Sequence, residues 1–178
     1  MKRTVLTFGI IAGVIISVLI SITIPFGDKI GFDRGVYVGY TVMLMAFLLV
    51  FFGIRSYREN VGGGEISFGR AFQVGILITL ITCLFYVVTW EIIYFFFMHD
   101  FADKYAAYLT EKARAAGASP DQLAQQIEHV KQVKKLLDNP FLSAVIIFIS
   151  EPLPVGLAMT LISAAILRKR RQAVEVPL

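Results

Sequence analysis

Two carboxylates stand where carboxylates are costly. Glu91 and Glu151 each sit inside a long apolar run, and an ionisable side chain in such a run is a candidate carrier of a proton or an ion. Ser150 precedes the string Glu151-Pro152-Leu153-Pro154. Proline has no backbone N–H, so Pro152 and Pro154 leave the carbonyls of Phe148 and Ser150 without their helical donors. A carboxylate beside a broken helix with free carbonyls has the parts of a cation site or a proton relay. Two carboxylates held close would also share a proton, because both cannot ionise cheaply. The plainer reading of the same residues is structural. Glu91, beside Trp90 and Tyr94, would face water at an interface; Glu151 would accept a hydrogen bond from a tyrosine, a serine or the backbone; the prolines would only kink the helix.

Other chemistries lack their residues. His99 and Asp103 are four apart and share a helical face, but two ligands do not make a metal site, and His129 falls on a polar face. Gly62-Gly63-Gly64 before Ser67-Phe68-Gly69-Arg70 lacks the Gly-x4-Gly-Lys-Ser/Thr spacing of a phosphate loop. It reads as a flexible turn, with Ser67 capping the helix that follows. No HExxH, GxSxG or paired CxxC occurs. The single cysteine, Cys83, cannot form a disulfide within the chain. The expectation is therefore no enzyme, no cofactor and no resident metal.

The elements that must position the two carboxylates are membrane spans. The chain has 178 residues, 57% of them hydrophobic and only 17% charged, and its charges are collected between long apolar runs. Four runs reach the roughly 20 residues that a spanning helix needs: 5–24, 36–54, 71–98 and 141–167. The fold class expected is all-α, a four-transmembrane-helix bundle forming one membrane domain over 1–178. The first run is longer than a signal-peptide core and lacks a small-x-small cleavage site, so it is expected to stay.

The net charge of +4 does not indicate nucleic acid, because the basic residues flank the spans. Lys2 and Arg3, then Arg55, Arg58 and Arg70, then Arg168, Lys169, Arg170 and Arg171 all fall on one side of a four-span chain. Short loops rich in arginine and lysine stay inside. The expected location is the bacterial inner membrane, with both termini cytoplasmic and the lipid bilayer as the first partner. Counting 1.5 Å per residue from Arg70 puts Glu91 about 31 Å up, and counting from Arg168 puts Glu151 about 26 Å up. Both lie near the outer edge of the hydrocarbon.

Residues 101–137 read as an extracytoplasmic helical hairpin between helices three and four. Phe101, Tyr105, Tyr108 and Leu109 make one apolar stripe, and Leu123, Ile127, Val130 and Leu137 another. Gly117 ends the first helix; Ser119, Pro120 and Gln122 start the second as a capping box. The stripes either bury each other or serve a membrane or periplasmic protein partner. Gly9, Gly13, Ser17 and Ser21 recur every four residues, as do Gly156, Thr160 and Ala164, and Gly35 with Gly39. Such helix-packing faces let backbones approach closely. They serve packing within one copy or a homo-oligomer.

As a set, several strings resemble domain-of-unknown-function family 4199, small membrane proteins of Bacteroidota. They are Phe51-Phe52-Gly53-Ile54-Arg55-Ser56-Tyr57-Arg58, Ile66-Ser67-Phe68-Gly69-Arg70-Ala71-Phe72, Trp90-Glu91, Asp103-Lys104-Tyr105 and Glu151-Pro152-Leu153-Pro154-Val155-Gly156-Leu157. The resemblance covers nearly the whole chain and implies four helices in an inner membrane. It implies no activity, and no role for Glu91 or Glu151. The expectation is a non-enzymatic scaffold or regulatory membrane protein. The alternative is a small ion- or proton-coupled transporter or channel component using Glu91 and Glu151.

Overall fold

The computed structural model describes residues 1–98 and 100–169. His99, Arg170 and Arg171, named above, lie outside the described residues. Among the described residues the regular structure is helical: α1 Lys2–Thr23, α2 Gly27–Asn60, α3 Phe68–Phe97, α4 Phe101–Ala115, α5 Pro120–Leu137, α6 Pro140–Ser150 and α7 Pro152–Leu167, with a 3-10 turn Ile24–Phe26. Four stretches are long and apolar enough to cross a membrane: Lys2–Phe26, Lys29–Asn60, Phe68–Phe97 and Pro140–Leu167. The chain is a multi-pass membrane protein.

The helix starts are set by local chemistry. Ser67 Oγ accepts from Arg70 N–H at 3.3 Å and caps α3. Ser119 and Gln122 form a reciprocal capping box at α5, with Pro120 in its first turn. Asn139 Oδ1 accepts from Phe141 N–H at 3.0 Å and Leu142 N–H at 3.1 Å, opening α6. α4 ends before Gly117, whose φ of 81° is left-handed, a conformation that favours glycine.

The second span departs from the boundaries read from the sequence. α2 extends past Ile54 through an Arg55–Glu59 pair at 2.9 Å, one helical turn apart. At its start, Gly31 adopts φ 71° and ψ 163° and breaks the helix. The turn after this break carries Phe32 and Asp33.

α3 is the central element, packed on α1, α2, α6 and α7. Phe47, Ile16, Ile54, Ile78, Val50 and Val74 are fully buried between them. The small-residue face of α1 is used against α3. A Cβ on Gly9 would meet Ile81 at 2.9 Å, and one on Gly13 would overlap the Phe85 ring. One turn on, Ser17 Oγ hydrogen-bonds Thr89 Oγ1 at 2.7 Å. The constant offset of 72 residues (9 to 81, 13 to 85, 17 to 89) is that of two parallel helices, as spans one and three must be. Ser21 Oγ donates to Ser17 O, within α1. Gly35 and Gly39 face open space. Leu6, Ile10, Val14 and Val18 are exposed along α1, which is the surface a bilayer would cover.

At one end of the bundle the arginine-bearing segments meet. Ile66 and Lys169 exchange backbone hydrogen bonds at 3.1 and 2.9 Å, and Arg58 Nη1 donates to Leu167 O at 3.4 Å. At the other end, α4 and α5 pack on each other and are joined by Lys134–Asp103 at 2.5 Å. The aromatic stripe of α4 does not serve α5 alone. Phe32 contacts the rings of Phe101, Tyr105 and Tyr108, with centroids 5.8, 5.3 and 5.0 Å away, and Trp90 meets Phe101 edge-on. Beside them, Tyr108 O–H and Lys112 Nζ both donate to Asp33 Oδ1, at 2.5 and 2.6 Å. This clamp ties α4 to the start of α2.

The Asp33 hydrogen bond, more than any other contact, raises the Lys112 ammonium above the ordinary lysine range. A raised pKa means a contribution fully present below the ordinary lysine value and lost only as pH rises through the raised one. The clamp is therefore complete at neutral pH. Asp33→Ala is expected to speed amide hydrogen exchange across 101–115 while leaving 68–97 unchanged. Equal protection of α4 in the variant would show that the rings alone hold it.

Candidate functional site

The two carboxylates identified in the sequence lie along one seam, between α3 and the broken fourth span. Three cross-helix hydrogen bonds form its rungs. Thr79 Oγ1 and Thr160 Oγ1 are 2.9 Å apart, fully buried, and Thr79 also reaches Gly156 O at 3.3 Å. Next, the Tyr86 hydroxyl donates to Glu151 Oε2. Last, Ser143 Oγ donates to Glu91 Oε1 at 2.7 Å. Partners rise on α3 (79, 86, 91) as they fall on α7 and α6 (160, 151, 143), which is antiparallel register.

On α3, residues 86 and 91 are about 7–8 Å apart along the axis. Each carboxylate thus has its own hydroxyl, at its own level of the seam. Their other oxygens differ in what surrounds them. Glu91 Oε2 is shut off from solvent and has no hydrogen-bond partner among the described residues. Such a group is costly to bury.

The break that delivers Glu151 is local. Glu151 has φ −116° and ψ −77°, and its N–H donates to Ile147 O at 3.1 Å. Pro152, at the first position of α7, is fully buried, whereas Pro154 is exposed. Ser150 turns away from the seam: its Oγ donates to Ile146 O at 2.8 Å. Of the five residues grouped from the sequence, Glu91, Glu151 and Pro152 therefore belong to the seam, and Ser150 and Pro154 look outward. Below the break, a Cβ on Gly156 would overlap Thr79 and the Phe47 ring, so the glycine is what lets α7 approach α2 and α3.

Sequence reasoning missed Tyr86, Ser143 and Thr79. A signal for each of them existed. Thr79, Thr82 and Tyr86 fall at i, i+3 and i+7 of an otherwise apolar helix, hence on one face. Ser143 lies eight residues before Glu151, also on one face. Asp33 and Phe32 carried no such signal, because their partners are about 70 residues away. Among the described residues no three His, Cys, Asp or Glu side chains converge as metal ligands.

The family described as Protein of unknown function (DUF4199) matches residues 7–169, a stretch that includes all three rungs and the clamp. No curated protein and no solved structure matches the chain.

Proposed function

We propose that this chain, which belongs to the family described as Protein of unknown function (DUF4199), is a non-enzymatic scaffold or regulatory protein of the bacterial inner membrane. In this reading the bundle holds α4 and α5 as an extracytoplasmic helical hairpin, which is the surface offered to a membrane or periplasmic partner. The observation that carries it is how polar groups are used. Within the spans, the seam's hydroxyls and carboxylates are engaged across helices by other parts of the same chain. The exposed polar surface is concentrated on α4 and α5; the Asp33 clamp fixes α4 in place, and Lys134–Asp103 joins α5 to it.

Orientation follows from Arg3, Arg55, Arg58, Arg70 and Arg168 at one end, which the positive-inside rule puts in the cytoplasm. Single cysteines test it, with the native Cys83 buried and so silent. Gln126→Cys is expected to react with a membrane-impermeant maleimide in spheroplasts, and Asn60→Cys only after lysis. The reverse pattern would overturn the orientation and with it the hairpin's role.

One observation favours a second reading, a small ion- or proton-coupled transporter or channel component. Glu91 Oε2 is buried without a partner, and a proton or a cation would relieve it. In that reading one of the carboxylates, Glu91 or Glu151, is irreplaceable by its amide.

A further inference from the structure

At the arginine-bearing end, a groove of about 380 Å³ opens between the start of α1 and the end of α2. Arg3, Thr4, Thr7, Ser56 and Asn60 line it, with Phe8 as an apolar wall. The side chains of Arg3, Thr4, Thr7 and Ser56 donate no hydrogen bond among the described residues, whereas Asn60 Nδ2 is already taken by Ser56 O at 2.9 Å. Elsewhere in the helices, Thr23, Thr41, Thr82 and Thr110 each return their hydroxyl to a carbonyl three or four residues back. Among the described residues Thr7 makes no such bond, although Arg3 O stands at the right spacing. Asn60 Nδ2 donates to Ser56 Oγ at 3.2 Å, which satisfies that oxygen as an acceptor and leaves its proton to be given outward. The acidic group nearest in sequence to the groove wall, Glu59, is taken by Arg55 at 2.9 Å and Arg58 at 3.3 Å. Arg3 has no ion pair among the described residues.

We propose that this groove binds the phosphate group of an anionic phospholipid. A guanidinium and three hydroxyls lining one groove suit a group with several acceptor oxygens and negative charge. The surroundings select a lipid over free phosphate. The same two helices also carry the exposed apolar side chains Leu6, Ile10, Leu48 and Phe52, on which acyl chains would lie. The volume is in the range of ordinary ligand sites. Diffuse attraction of cytoplasmic basic residues to anionic lipid is general; the inference here is a defined site in which Arg3 and Thr7 matter and a neighbouring charge does not.

The test uses the full chain, reconstituted in phosphatidylcholine containing a minority of phosphatidylglycerol and then extracted into detergent. Co-purifying lipid is quantified by mass spectrometry, and helix content by circular dichroism checks each variant. The wild type is expected to retain phosphatidylglycerol in excess of its share. Arg3→Gln with Thr7→Val is expected to lower that enrichment about tenfold, a change of roughly 1.4 kcal/mol, and Lys2→Gln to leave it unchanged. Absence of enrichment, or an equal loss from Lys2→Gln, would overturn the site. So would saturable binding of inorganic phosphate to the lipid-free protein that phosphatidylglycerol does not displace.

Discussion

Gly156→Val is expected to destabilise the bundle by about 3 kcal/mol or more, or to prevent its accumulation. A Cβ at this position already overlaps the Thr79 methyl and the Phe47 ring, and both of those side chains are fully buried, with nowhere to move. Overpacking of a well-packed interior typically costs about 1–3 kcal/mol. Here the valine must also push back a helix whose carbonyl, Gly156 O, accepts from Thr79. The comparison that isolates the effect is Gly39→Val. Gly39 faces open space, so its valine should be neutral or mildly stabilising through helix propensity. Unfolding in mixed detergent micelles measures both, and similar behaviour of the two variants would refute the packing of α7 against α2 and α3.

Tyr86→Phe is the second large effect. It removes the one donor that Glu151 Oε2 has among the described residues, at a tyrosine only 5% exposed. A hydrogen bond to a charged group is worth about 1.5–3 kcal/mol net in water-soluble proteins. Interhelical bonds in membranes average about 0.6 and reach about 1.7 kcal/mol, so about 1–2 kcal/mol is expected. Removing both partners costs less than stranding one. The double variant Tyr86→Phe with Glu151→Leu is therefore expected to be more stable than Tyr86→Phe alone. Additive losses would mean that the two groups do not depend on each other.

Glu91→Gln and Glu151→Gln differ in kind from these changes. Each amide keeps an oxygen that can accept from Ser143 or Tyr86 and removes the charge. The scaffold reading expects both variants to fold with near-normal stability.

Periodicity and charge were the legible part of this chain. Four spans, the Ser67 cap, the Ser119–Gln122 capping box and the glycine after α4 are all local features, set by residues within a few positions of one another, and the structure has each of them. The small-residue face of α1 was legible as a packing face, but its partner was not. Nothing near Gly13 in sequence points to Phe85, which is set by the parallel placement of spans one and three. The same holds for the seam. Glu91 and Glu151 stood out because charge in an apolar run is rare, while Ser143 and Tyr86 share faces with other polar residues but are paired with the two carboxylates only by the placement of α6 beside α3. Phe32 and Asp33 lay between the first two apolar runs, 5–24 and 36–54. Only the break at Gly31 turns them onto α4, and a lone glycine does not announce its φ.

In the scaffold reading the polar seam closes the bundle and conducts nothing. The most direct measurement is proton and alkali-cation flux into vesicles reconstituted with the wild type, Glu91→Gln and Glu151→Gln. Flux indistinguishable from that of protein-free vesicles is expected for all three. Flux above that background in the wild type, abolished by either amide, would contradict the scaffold reading and assign the seam to transport.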